Sequence, residues 1–284
     1  MKLKQINLAP EVKLYYINEK PDMDLAKKVS RIFDGSLKPF KEMPRHEVYT
    51  VEYGNNIYYA KKFFPTTFEQ KISYCIRESK ALSCLILFDR LVNANLKVIK
   101  AVFALSYQKG LKHESILVTE KTDGMSLREA LIGNISSSEK EEIMLRFLAT
   151  LGDFYRNKFI HKDPVLANFF VDLNKNPSEI IFIDLDAIAI GHWLPQKRVF
   201  YSLNKLVLSI YSNLGNRNSD KGFSREQVVF YVEQFLKSYN SSLKVDTALR
   251  YLTQGTVKLF QNPQKYPGRA KHKALLSIMK NWNA

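Results

Sequence analysis

The tract FIHKDPVLANFFVD, residues 159 to 172, sets His161, Lys162, Asp163 and Asn168 among residues apolar enough to be core. Charged groups are rarely buried unless paired, so Asp163 belongs on a loop that enters a cleft between two apolar runs. A second carboxylate, Asp184, closes the apolar run of IIFIDLDAI. An Asp-x4-Asn spacing followed by a strand-borne Asp suits transfer of a phosphoryl group to a hydroxyl. The first carboxylate accepts the hydroxyl proton, while the carboxamide and the second carboxylate are hard oxygen ligands for magnesium. Either piece alone is weak: Asp-x4-Asn arises often by chance, and an Asp after a strand often caps a turn. The two together, in this order, carry the reading.

Such loops need elements to hold them. Before residue 125 the chain reads mostly as strand: KPFKEM, EVYTVEY and IYYAKKFF are rich in aromatic and β-branched residues, and GNN between the last two signals a hairpin. TFEQKISYCIRESKALSCLILFDRLV then carries a helical apolar stripe through Ile72, Cys75, Ile76, Leu82, Leu85 and Ile86. KVIKAVFALSY and SILVTE return to strand. Afterwards helices dominate. SSEKEEIMLRFLATLGDFYRNKF opens on a Ser-rich cap followed by acidic residues, and KRVFYSLNKLVLSIYSNL and SREQVVFYVEQFLKSYN follow the same period.

Strands, a helix, two more strands and a mostly helical second half give the element order of a protein-kinase-like fold. The expectation is an α+β, bilobal chain with an N-terminal extension over 1–35, a β-rich nucleotide-binding lobe over 36–122 and a helical lobe over 123–284. Asp163 and Asn168 then match the H-R-D-x-x-x-x-N catalytic loop, and Asp184 the aspartate of D-F-G. A lysine on the third strand should pair with a glutamate on the next helix. IYYAKKFF offers Lys61 and Lys62, which strand alternation sends to opposite faces. Aligning YAKK with V-A-I-K favours Lys62. The glutamate is Glu78 of IRESKAL, unless that residue only decorates an exposed helix face. VTEKTDGMSL resembles the hinge between lobes, where the Glu120 carbonyl and the Thr122 amide would meet adenine. The loop that should cover the phosphates reads only Pro44-Arg45-His46, without G-x-G-x-x-G. Arg45 or His46 is the available substitute for missing backbone amides.

Residues from about Tyr49 to Leu206 resemble the bacterial lipopolysaccharide kinase family, the Kdo and core-heptose kinases. YYAKKFFP, VTEKTDGMSL, HKDPVLANF and IIFIDLDAI carry the resemblance. It implies ATP and Mg2+ as cofactors, Asp163 as catalytic base, Asn168 and Asp184 as metal ligands, and Lys61 rather than Lys62 as the phosphate contact. It also implies a Kdo or heptose hydroxyl of the lipopolysaccharide inner core as acceptor. Two positions depart from the pattern. Lys162 stands where the family usually has Arg or Gly, and Asn204 stands where related kinases often carry an aspartate supporting the catalytic loop. Other readings of the same fold are an aminoglycoside- or choline-type kinase, a protein kinase, or a catalytically silent pseudokinase. The first would usually show His-Gly-Asp and a larger helical insertion. The pseudokinase would not require Lys61, Glu78, Asp163, Asn168 and Asp184 together.

Composition bounds the rest. At 284 residues with 45% hydrophobic content, two lobes or domains are expected. Cys75 and Cys84 form no Cys-x-x-Cys, which argues against zinc or a disulfide framework. No signal peptide or spanning helix is apparent, so a reducing, cytoplasmic setting is expected. The net charge is +15, and from Ser241 onward eight basic residues face only Asp246. That imbalance seeks an anionic partner. The tail KYPGRAKHKALLSIMKNW joins Lys265, Arg269, Lys271 and Lys273 to Leu275, Leu276, Ile278, Met279 and Trp282. It suits peripheral contact with the inner face of the cytoplasmic membrane, unless it packs as a terminal helix. No nucleic acid is expected.

Overall fold

The computed structural model describes residues 2–175, 178–191, 193–210 and 225–260. The chain divides into two compact units, Met1–Asp123 and Gly124–Ala284.

The first unit is built on one antiparallel sheet of seven strands. In chain order they are β1 (Leu3–Ala9), β2 (Val12–Ile17), β3 (Lys41–Met43), β4 (His46–Tyr53), β5 (Asn56–Phe63), β6 (Ala101–Lys109) and β7 (Lys112–Glu120). Their spatial order is β1-β2-β6-β7-β5-β4-β3. The first 35 residues therefore pack with the sheet: β1 and β2 extend it, and α1 (Met23–Ser30) covers it. Leu25, Ala26 and Val29 of α1 share a core with Tyr58 and Ala60 of β5 and Ile116 and Val118 of β7. The opposite face carries α3 (Lys80–Asn93), whose Ala81 amide donates to Ser115 Oγ of β7 at 3.3 Å.

The single long helix expected from residue 67 onward is in fact two. α2 (Phe68–Ile76) ends at Arg77, and α3 restarts at Lys80 behind Ser79, whose Oγ accepts from the Leu82 amide. Two polar caps outweigh an unbroken apolar period here. α2 is also inverted. Gln70, Ser73 and Tyr74 face the body of the unit, while Phe68, Ile72, Cys75 and Ile76 face outward.

The second unit begins with β8 (Met125–Ser126), α4 (Leu127–Ile132) and α5 (Ser137–Arg156). Both helices open on capping boxes, Ser126 with Glu129 and Ser136 with Glu139. β9 (Phe159–His161), β10 (Phe169–Asp172), β11 (Glu179–Phe182) and β12 (Ile188–Ile190) form two small sheets, β11-β10-β8 and β12-β9. Helices α6 (Gln196–Ile210), α7 (Arg225–Tyr239) and α8 (Val245–Phe260) complete it. Phe147, Phe154, Phe169 and Phe182 pack beneath the β9–β10 region, with centroid separations of 4.7 Å for Phe154–Phe182 and 4.8 Å for Phe147–Phe169.

Candidate active site

The second unit holds most of the predicted chemistry. β9 ends at His161, and the chain then runs through Lys162, Asp163, Pro164 and Val165 into a short 3-10 turn, Leu166–Asn168, before β10. The loop is tied down by its own backbone. The Lys162 amide donates to the Ala187 carbonyl at 2.8 Å, the Val165 amide to Asp163 O at 2.8 Å, and the Asn168 amide to Val165 O at 2.9 Å. Asn168 Nδ2 donates to the Asp163 carbonyl at 2.8 Å, so the two predicted polar residues share one hydrogen-bonded loop. With its nitrogen so used, the Asn168 carboxamide keeps its oxygen as the group to offer a cation.

Asp184 lies just beyond β11. The Ile183 amide donates to the Asn168 carbonyl at 3.3 Å, which brings the stem of the Asp184 loop beside the catalytic-type loop, and the Ala187 amide closes a turn on Asp184 O at 3.1 Å. A carboxamide oxygen and a carboxylate suit magnesium, which commonly takes one or two protein oxygens and completes its shell with phosphate and water. Among the described residues no group of three or more His, Cys, Asp or Glu side chains gathers as a metal cage.

His161 is fully buried between the Phe154 and Phe169 rings, with centroids 6.5 and 5.3 Å away. Its Nδ1 accepts from the Asp163 amide at 3.2 Å, which leaves the proton on Nε2, and among the described residues Nε2 meets no partner. Burial is the main cause that lowers its pKa to about 4, opposed in part by Asp163. The imidazole is thus a neutral strut that orients the Asp163 backbone.

Sequence reasoning missed Lys205. Its Nζ donates to Asp163 Oδ1 at 2.7 Å across 42 residues of sequence. One turn on, Ser209 Oγ accepts from the Leu166 amide at 3.1 Å, so α6 grips the loop at two points. Asn204, which stands where related kinases often carry a loop-supporting aspartate, makes other contacts. It is buried, donates to Tyr201 O at 2.9 Å and accepts from Thr256 Oγ1 at 3.2 Å, joining α6 to α8.

In the first unit, register separates the two lysines. Lys62 pairs with Ile116 and so shares the α1 face, where its Nζ lies 3.4 Å from Glu114 Oε2 and 3.8 Å from Glu47 Oε2. Tyr49 O–H donates to the same Glu47 oxygen at 2.6 Å. Lys61 pairs with Leu117 on the α3 face. Glu78 does not sit in a helical stripe as expected. It is exposed in the break between α2 and α3, and among the described residues no ion pair joins it to Lys61. Breaking the helix at Ser79 puts this carboxylate ahead of the α3 cap rather than on a face of the helix.

At the predicted hinge, β7 ends at Glu120. The Glu120 amide donates to Lys100 O at 3.0 Å, its carboxylate lies 2.7 Å from Lys100 Nζ, and the Lys121 amide donates to Ile57 O at 2.9 Å. Among the described residues no backbone carbonyl accepts from the Thr122 amide. Gly124 follows with φ of +100°, and a Cβ there would collide with Val171 O. Only glycine fits where β8 approaches β10. Arg45 is exposed in the tight β3–β4 turn.

A β-rich unit carrying a strand lysine and a helical unit carrying the Asp163 and Asp184 loops make up a kinase-type phosphotransferase. The lipopolysaccharide kinase (Kdo/WaaP) family matches residues 41–229, and the chain belongs to that family. Its members phosphorylate sugars, so the protein is a sugar kinase by membership. A solved structure described as WaaP in complex with acyl carrier protein is similar to the chain with a TM-score of 0.56 and 16% identity, covering 82% of this chain and 92% of that one. It shares the fold. No curated protein matches the chain.

Proposed function

We propose that the protein transfers the γ-phosphoryl group of ATP to a Kdo or heptose hydroxyl of the lipopolysaccharide inner core. The observation that carries this is the Asp163 loop. Its Lys162, Val165, Leu166 and Asn168 amides are paired within the loop or with Ala187 and Ser209, and the half-exposed carboxylate, one oxygen of which takes Lys205, keeps room to accept. Asp163 accepts the proton of the attacking sugar hydroxyl, and His161 holds the aspartate backbone in register from below. Magnesium, held through Asn168 and Asp184, supplies charge neutralisation at the phosphates. Lys61 contacts the phosphates, and Glu120 and Thr122 present backbone groups to adenine. Most of the rate then comes from positioning and charge stabilisation rather than from a strongly shifted base.

A lipid-anchored acceptor places the reaction at the inner face of the cytoplasmic membrane, with the protein bound peripherally. The net charge of +15 supports attraction to an anionic surface. So does α2, which turns Phe68, Ile72 and Ile76 to solvent at 66%, 44% and 80% exposure. The basic tail from Lys265 to Trp282, also assigned to that surface from sequence, lies outside the described residues.

A thermal-shift titration separates an enzyme from a silent binding module. ATP with magnesium should raise the melting temperature more than ATP with a chelator, and label from γ-labelled ATP should appear in lipopolysaccharide purified from a strain lacking this gene. No magnesium-dependent shift together with no transfer would overturn the proposal.

A further inference from the structure

Between Asp163 and Asn168 the loop reads Pro164, Val165, Leu166 and Ala167, with no cation. Lys162 precedes the aspartate, but its side chain is exposed and its amide is tied to Ala187. Among the described residues, the cation in hydrogen-bond contact with Asp163 is Lys205, which arrives from α6. We infer that Lys205 is a catalytic group that neutralises charge on the phosphoryl group in transit, a task for which the loop itself carries no side chain. This inference rests on the reading of Asp163 as the base.

The distances support it. A hydroxyl that gives its proton to Asp163 sits about 2.6–3.2 Å from that carboxylate. In a near-attack arrangement the phosphorus lies about 3–3.5 Å from the hydroxyl oxygen. An ammonium 2.7 Å from the same carboxylate is then within one side-chain swing of the transferring oxygens, on a flexible four-carbon stem. Placement is not accidental, because Phe200 and Leu203 bury the opposite side of α6 and Ser209 clamps it to Leu166. Both members of the pair stay accessible, with side chains 45% and 48% exposed, so a substrate can reach them. An ion pair that exposed contributes little to folding. Replacing Lys205 should therefore change kinetics without unfolding the chain.

The test compares Lys205→Met, Lys205→Arg and Asp163→Asn in the full chain, using magnesium, ATP and lipopolysaccharide from the deletion strain. Lys205→Met should lower kcat by about a hundredfold or more, the usual consequence of removing one charge-stabilising donor. Its KM for ATP should stay within about threefold, since the contact forms only as the phosphoryl group moves. Lys205→Arg should recover much of the rate. Magnesium, ADP and aluminium fluoride together mimic the group in transit, and they should stabilise the parent against heat but not Lys205→Met. Magnesium with ATP should stabilise both. Three results would overturn the inference: a Lys205→Met kcat within about threefold of the parent, a kcat above it, or a fall that Arg does not recover and that tracks loss of folded protein. If Asp163→Asn is inactive while Lys205→Met is active, the lysine inference alone fails. If Asp163→Asn also keeps the parent rate, the assignment of the base fails as well.

Discussion

Lowering the pH should expose the buried neutral imidazole of His161 as a stability switch. Its folded pKa of about 4 lies below the ordinary value of 6.5, mainly because burial penalises the charged ring. Between those values the unfolded chain binds more protons than the folded one, so stability rises with pH across that window. The contribution is fully present above the unfolded value and is lost as pH falls toward the folded one. At about 1.4 kcal/mol per pKa unit, the linkage costs about 2 kcal/mol at about pH 5 and almost nothing at about pH 7.5. Urea unfolding of the parent and of His161→Asn at those two pH values isolates this group, because the asparagine oxygen can still accept from the Asp163 amide. The parent should lose about 2 kcal/mol more than the variant between the two conditions. Equal losses in both proteins would show that the ring is not held neutral, and the role given to His161 under the loop would fall with it.

Other expectations follow from single contacts. Lys62→Met should destabilise by about 1 kcal/mol or more by removing the nearest cation from the mostly buried Glu114 and Glu47, which keep only Lys112 and the Tyr49 hydroxyl, whereas Lys61→Met should remove phosphoryl transfer. The reverse pattern would exchange their roles. Gly124→Ala should cost about 3 kcal/mol in urea unfolding, from positive φ and the close approach to Val171 O; a loss below about 0.5 kcal/mol would mean the β8–β10 approach is loose. In vesicle sedimentation the parent should bind anionic vesicles more weakly as salt rises, and replacing Phe68 and Ile76 with Ser should weaken binding further. If those serine variants sediment like the parent, α2 is not the contact.

The β4–β5 hairpin, the Ser-rich cap of α5 and the loops of Asp163 and Asp184 could be read from sequence because each is set by neighbours a few residues apart. β1 was not read, since its alternation is only two apolar residues long, with Ile6 and Leu8 half-buried and the other five exposed. The break at Glu78 was hidden because Arg-Glu-Ser is not a helix-breaking run. Ser79 capping Leu82, and Ser115 from a distant strand holding Ala81, decide it. Lys205 was invisible for a different reason: its partner is 42 residues away, and a helical stripe says only that such a lysine faces outward. Asn204 was read only as a departure from the loop-supporting aspartate of related kinases; what it does instead, joining α6 to α8, depends on Thr256, 52 residues away.

The central claim is that Asp163 drives phosphorylation of a sugar in the lipopolysaccharide core. Mass spectrometry of lipopolysaccharide from a strain deleted for this gene, complemented with either the parent or Asp163→Ala, tests it most directly. The account predicts that the deletion strain lacks one phosphate on a Kdo or heptose residue, that the parent restores it, and that Asp163→Ala, though folded and still stabilised by ATP with magnesium, does not. An unchanged core in the deletion strain, or full restoration by Asp163→Ala, would contradict it.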